Sequence, residues 1–142
     1  MRSILVATDG SEGADRAVDD AAEIAKAVGG NLSSVTVGDN LSRNEIGRLA
    51  AAERDVWEAV DSFSRQILQR ATERAQRAGI SIAGTQIASG DPAAAIIGIV
   101  RAASIDTLVV GRRGRGQLTG LLLGSVSQKL VAIAPCIVVV VP

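Results

Sequence analysis

The chain contains no histidine and no tyrosine, and only one cysteine, one phenylalanine and one tryptophan. The missing histidine removes Ser-His and Cys-His nucleophile pairs and every histidine metal ligand. A lone cysteine, Cys136, excludes an internal disulfide framework and a cysteine-cluster metal site. Any catalytic chemistry would therefore rest on a carboxylate, an arginine or a bound metal. Aromatic residues make up 1% of a chain that is 47% hydrophobic. Its core must be Val, Ile, Leu and Ala, which suits a buried parallel sheet covered by helices. Fifteen basic residues balance fifteen acidic ones. Nothing in that balance draws the chain to nucleic acid or to a membrane surface. Arg2 to Val6 is too short an apolar stretch for a secretory signal and runs into Asp9. No apolar run reaches transmembrane length. The expectation is a cytoplasmic protein of one domain, since 142 residues suffice for one substantial core.

Taken in order, apolar runs alternate with helical patterns. Ser3 to Thr8 is a short apolar run, expected as the first strand. Asp9-Gly10-Ser11 is a turn, with Ser11 a candidate helix cap. From Glu12 to Val28, Ala14, Ala17, Val18, Ala21, Ala22, Ile24, Ala25 and Val28 recur at helical spacing, and Gly29-Gly30 stops them. Leu32 to Val37 reads as strand two and Gly38-Asp39-Asn40 as a loop. A long helix is expected from about Arg43 to Ala78, ended by Gly79. The stretch Asn44 to Asp55 carries the weaker part of that pattern and fits a loop as well. Trp57 reads as packing, with a ligand contact as the alternative. Ile80 to Ala88 is expected as strand three. Asp91-Pro92 opens a helix to about Ala103, because Asp caps well and Pro suits the first turn. Thr107 to Val110 and Cys136 to Val141 complete five strands. Strands alternating with helices give a parallel, doubly wound α/β sheet.

The stretch that organises the chain is Gly111 to Ser125, GRRGRGQLTGLLLGS. It lies between the strand ending at Val110 and a helix expected from Val126 to Ala134. Glycines let backbone N–H groups approach an anion without a Cβ in the way. A helix start adds unpaired N–H groups and the positive end of its dipole. Gly111, Gly114 and Gly124 are spaced G-x2-G-x9-G. Ser125 follows as a candidate cap whose hydroxyl can also meet a phosphate oxygen, and Arg112, Arg113 and Arg115 add positive charge. An ordinary glycine-rich turn with solvated arginines is the alternative. The Walker sequence is absent, since Gln117 and Leu118 follow Gly116 where Lys and Ser/Thr are needed. The dinucleotide fingerprint fails too, because Thr119 stands where its last glycine belongs.

That spacing, with GSVSQKLVAIAPCIVVVV after it and ILVATDGSEGA near the N-terminus, resembles the universal stress protein family, ATP-binding type. The resemblance runs through the whole chain. It implies a single doubly wound domain with five parallel strands in the order 3-2-1-4-5 and helices on both faces. Ligands of such sheets sit beyond the carboxyl ends of strands, where the strand order reverses. The reversal would bring Thr8-Asp9-Gly10 and Gly111-Arg112-Arg113 to one crevice. The site implied is Ala7, Thr8, Asp9, Val37, Gly111, Arg112, Arg113, Gly114, Arg115, Gly124, Ser125, Val126 and Ser127.

Asp9 is an acceptor for a ribose hydroxyl or an adenine amino group, or else a turn residue or cap. Val37 matches the position whose backbone contacts adenine, or else is plain core. The paired arginines depart from the small polar residue and histidine that the family often carries there. They strengthen anion binding, prop the loop against acidic neighbours, or face solvent. The function implied is binding of ATP, or AMP or ADP, in a sensing or regulatory role in the stress response. A Mg²⁺ accompanying ATP would be held largely by phosphates and water, since no carboxylate cluster marks a dedicated cage. The alternatives are a slow ATP hydrolase or phosphotransferase and a nucleotide-free dimeric adaptor. The enzyme is disfavoured because no histidine and no P-loop lysine are present. Cys136 reads as core and Asp91 as a cap. CIVVVV, on a sheet edge, predicts a homodimer through the C-terminal strand.

Overall fold

The computed structural model describes residues 2–38, 56–112 and 123–142, with the backbone alone at Val56 and Trp57. The element order is β1 (Ser3–Ala7), α1 (Glu12–Val28), β2 (Asn31–Val37), α2 (Val56–Arg77), β3 (Ile82–Ala88), α3 (Pro92–Ala102), β4 (Thr107–Gly111), α4 (Ser125–Ile133) and β5 (Ile137–Val141). The part of the long helix expected over residues 43–55, the packing of the Trp57 side chain, and the loop residues Arg113, Gly114 and Arg115 lie outside the described residues.

All five strands are parallel and stand in the order β3-β2-β1-β4-β5. Alternation along each strand assigns the two faces of the sheet. Ile4, Val6, Leu32 and Val109 pack on one side against Ala17, Val18, Ala21, Ala22 and Ala25 of α1 and Ala71 and Ala75 of α2. Leu5, Val35, Val37, Leu108 and Val110 pack on the other against Ala93, Ile96, Ile97 and Val100 of α3 and Leu130 of α4. Alanine at most buried positions of α1 lets that helix lie close on the sheet, which is how the core forms almost without aromatic residues.

The caps explain the helix ends. Ser11 accepts from the Ala14 N–H and Asp91 from the Ala94 N–H, both as expected. Gly29 closes α1 in the left-handed region at φ 64°. The third strand starts at Ile82 rather than Ile80, because Ile80 still belongs to the end of α2. Its N–H donates to Ala75 O at 3.0 Å, while Gly79, at φ 89°, makes the reversal. The last helix begins at Ser125, one residue before the expected start, and ends at Ile133.

At the amino ends of the central strands Asp106 sets the alignment of β1 and β4. Its carboxylate accepts from the Ser3 N–H at 2.8 Å, its own N–H donates to Ser3 O at 2.9 Å, and its carbonyl accepts from Ile137 N–H at 3.2 Å. Residues Ile4, Leu5 and Val6 then pair with Thr107, Leu108 and Val109.

Helices α1 and α2 are also clasped by an ion-pair ladder that pattern reading does not reveal. Arg74 forks onto Asp19, with Nε to Oδ1 at 3.0 Å and Nη2 to Oδ2 at 2.6 Å. Arg70 pairs with Asp15, whose carboxylate Arg74 also approaches at 3.8 Å. Each helix contributes its pair at a spacing of four, so both charges sit on one face. The hydrogen bond to Asp19 holds the Arg74 guanidinium above its ordinary pKa, against the opposing effect of burial. Asp15 is only 7% exposed, so losing a neighbouring cation costs more there than at the surface. Replacing Arg74 by Met, which keeps the apolar stem, is expected to lower stability by about 1 kcal/mol in urea unfolding. Arg65→Met, which removes an exposed partner of Asp61 within α2, should cost under about 0.5 kcal/mol. Equal losses would show that the clasp adds nothing beyond a surface pair.

Candidate functional site

Pairing of β1 with β4, while β2 lies on the far side of β1, brings the carboxyl ends of β1 and β4 side by side. Thr8-Asp9-Gly10 and Gly111-Arg112 therefore meet, as the strand order requires.

The first wall is a turn held by its own side chains. Thr8 is buried, and its N–H extends the sheet to Val35 O at 2.9 Å. Its Oγ1 accepts from the Gly10 N–H at 3.2 Å, and Asp9 Oδ1 accepts from the Ser11 N–H at 2.9 Å. Gly10 occupies the left-handed region at φ 80°. Short polar side chains that bond to the backbone two residues on are what stabilise such a turn. Asp9 is thus an Asx-turn residue, with one carboxylate oxygen already accepting inside the protein. Ala7 is half-buried against the Leu5–Val35 cluster, and Val37 belongs to that cluster. Val37 is followed by Gly38, whose N–H donates to Ala88 O at 2.8 Å.

The second wall starts at Gly111. A Cβ there would lie 3.0 Å from the Gly13 carbonyl carbon and 3.1 Å from its oxygen, so glycine is needed for β4 to end against the first turn of α1. Gly13 is a residue of the site's frame that the motif spacing does not reveal. Arg112 is held at both backbone groups: its N–H donates to Val141 O at 2.7 Å and its carbonyl accepts from Gly124 N–H at 2.8 Å. Arg112 is half-buried, and its Nε is buried with no hydrogen-bond partner among the described residues.

The start of α4 differs from expectation in two respects. The cap is Gly124, and Ser125 is the first helical residue, so Ser125 does not cap the helix. The Gly124 N–H is committed to Arg112, which leaves Gly124 to contribute closeness of approach rather than a donor. The N–H groups of Ser125, Val126 and Ser127 meet no acceptor among the described residues, because a glycine cap has no side chain to offer. At the starts of α1 and α3, by contrast, Ser11 and Asp91 take up one donor each. The Ser127 hydroxyl points inward, to Gly111 O at 2.7 Å and Arg112 O at 3.0 Å. The structure thus brings Ala7, Thr8, Asp9, Gly111, Arg112, Gly124, Ser125, Val126 and Ser127 to the ends of β1 and β4, with Val37 at the end of β2 beside them.

Chemically, the arrangement offers free N–H donors and a helix dipole to an anion, an arginine close by, and one carboxylate at the neighbouring turn. Among the described residues no group of three or more Asp, Glu or Cys is placed to hold a metal ion. Cys136 comes just before β5, at the amino end of that strand. It is half-buried against the Leu5–Val35 cluster, where burial pushes its thiol pKa up, as befits a core residue.

Comparison with known proteins bears on this geometry. The model of the universal stress protein family matches residues 1–142. The universal stress protein YxiE of Bacillus subtilis is 32% identical over 147 residues, covering 99% of this chain and 99% of its own. Among solved structures, the universal stress protein UspA from Lactobacillus plantarum superposes with a TM-score of 0.79 at 26% identity, over 99% of this chain and 97% of that one. The crystal structure of a universal stress protein in complex with cAMP gives a TM-score of 0.71 at 28% identity, over 99% and 96% of the two chains.

Proposed function

The chain belongs to the universal stress protein family, and from that premise we propose that it binds an adenine nucleotide, ATP in the first instance, in a sensing or regulatory role. The observation that carries this reading is the glycine-capped start of α4. Its first three N–H groups meet no acceptor among the described residues, and they follow β4, whose carboxyl end lies next to that of β1 where the strand order reverses. A phosphate chain fits those donors, and a carboxylate at the adjoining turn suits a ribose hydroxyl or an adenine amino group. The relative solved with cAMP supports an adenine nucleotide as the ligand class. Where ATP is the ligand, Mg²⁺ would be carried by its phosphates and water rather than by a protein cage. We read the protein as a cytoplasmic binder rather than an enzyme. No helix among the described residues is long and apolar enough to cross a membrane.

The same reading includes a homodimer. Strand β5 is a sheet edge, and Ile137 upon it is 54% exposed. Val131 and Ile133 on α4 add two more exposed apolar side chains. An apolar, β-branched edge with unpaired backbone groups favours pairing with a second copy, and antiparallel pairing of two β5 strands would place a two-fold axis between them.

Mass spectrometry of small molecules released on denaturation should find an adenine nucleotide, and calorimetry should find ATP binding. Gly124 has φ −64° and ψ 160°, a conformation open to any residue. Gly124→Val should therefore leave the circular dichroism nearly unchanged while blocking the approach to phosphate, with a large loss of ATP affinity. Full affinity in the folded variant would remove the loop from the site.

If Arg112 contacts phosphate, Arg112→Ala should cost about 1.5–3 kcal/mol of ATP binding and little of adenosine binding. Similar losses for the two ligands would show that the side chain does not read phosphate. For the assembly, Val139→Lys sets two like charges near the proposed axis and should convert a dimer to monomers in light scattering. A monomeric wild type at micromolar concentration, or a dimeric variant, would dismiss the β5 interface.

A further inference from the structure

We propose that Ser127 is a positioning residue, whose hydroxyl acts on the backbone of Gly111 and Arg112 and sets the aim of the α4 start, rather than touching the ligand. The inference rests on the nucleotide reading of that site and says how the chain keeps it in shape.

Ser127 is the third residue of α4 and is 5% exposed. A serine hydroxyl carries one proton. Here that proton is shared between two carbonyls, Gly111 O at 2.7 Å and Arg112 O at 3.0 Å. Donation to a phosphate oxygen would take that donor from both part-buried carbonyls, and a lost hydrogen bond there is costly. The carbonyl of Arg112 also accepts from the Gly124 N–H at 2.8 Å, which fills its two lone pairs. One peptide unit at the end of β4 therefore receives the helix twice, at its backbone cap and at a side chain one turn on.

Two attachment points fix a direction where one would leave a pivot. With Leu130 holding the body of α4 in the core, the cap bond alone would leave its first turn loose about Gly124, a residue with no Cβ to limit it. The hydroxyl bond holds the first turn against β4, so that the Ser125 and Val126 N–H groups keep one orientation towards the crevice. The preceding peptide unit is anchored as well, since Arg112 N–H donates to Val141 O at 2.7 Å, and Gly111 is seated on Gly13. A frame tied at β5, α1 and β4 thus carries the helix start, and Ser127 is its only described side-chain tie.

The test uses the intact protein and three substitutions. Amide hydrogen exchange in the ligand-free state reads the frame directly, and calorimetry with ATP and with adenosine reads the consequence. In Ser127→Ala the Gly124 amide, bonded to Arg112 O, should exchange faster than in wild type. ATP affinity should fall about tenfold, on the scale of one net hydrogen bond, with adenosine affinity within about twofold. Ser127→Thr keeps the hydroxyl and should restore both readouts. Ser127→Cys keeps the volume with a weaker donor and should fall between them; it carries the test if the alanine variant does not fold.

Loss of ATP affinity with unchanged Gly124 exchange would mean direct contact with the ligand and overturn the proposal. Faster exchange with unchanged affinity would overturn it as well, since the frame would then not matter to binding. A threonine variant as impaired as alanine would point to packing alone. A wild type that binds no adenine nucleotide would remove the nucleotide reading and the positioning role together. A wild type that binds, with an alanine variant like it in both readouts, would remove only the latter.

Discussion

The pairing of β1 with β4 is the constraint from which the rest follows. These strands are hydrogen-bonded neighbours although the whole of α1, β2, α2, β3 and α3 lies between them in the chain. Chain excursions to the two sides of this pair put α1 and α2 on one face and α3 and α4 on the other. The crevice exists because the connections leave the ends of β1 and β4 in opposite directions, which parallel strands with helical crossovers allow at only one place in such a sheet. Asp106 guards that pairing at the other end, with one side chain and both backbone groups engaged. A slip of one residue there would turn Ile4 and Val6 to the wrong face and would carry Asp9 away from Gly111.

The walls of the crevice are made mainly by backbone, shaped by residues small enough to allow it. Thr8, Asp9 and Ser11 bend the first turn by bonding to N–H groups two or three residues on. Gly111 and Gly13 let a strand end touch a helix start. Gly124 begins α4 with no side chain to take up the donors of its first turn. Each of these choices forgoes side-chain packing, and the dense Ala, Val, Ile and Leu layers beneath make up for it. Arg112 is the exception, a long side chain on a backbone pinned at both ends, whose buried Nε meets no partner among the described residues.

Local chemistry was legible in the sequence wherever it was enough to decide the outcome. The limits of α1, the Ser11 and Asp91 caps, Gly29 and Gly79 as stops, and all five strands follow from periodicity and turn residues. The strand order was not readable from periodicity and came from the family resemblance, which the structure bears out. What escaped was set by partners far along the chain. Ser125 looked like a cap because serine usually is one, yet Gly124 holds that place because its N–H finds Arg112 O. Ser127 looked like one more polar residue at a phosphate loop until β4 supplied the carbonyls it faces. The Asp15–Arg70 and Asp19–Arg74 pairs were present as two matching spacings of four, a signal that gains meaning only once α1 and α2 are known to be neighbours.

The long interval between β1 and β4 has a consequence for a chain still being made. Ser3 and Asp106 are 103 residues apart. At the usual pace of synthesis, about 5–20 residues per second, the first strand precedes its second neighbour by roughly 5–20 s. During that interval β2 can join one side of β1 and β3 can join β2, while the other edge of β1 has nothing to pair with. A nascent chain therefore carries an open strand edge in the middle of its future sheet, shielded at most by α1. The crevice cannot form until the start of α4 has left the ribosome, because its second wall is the end of β4 and the start of α4. A growing chain that stops short of α4 therefore holds only one of the two walls.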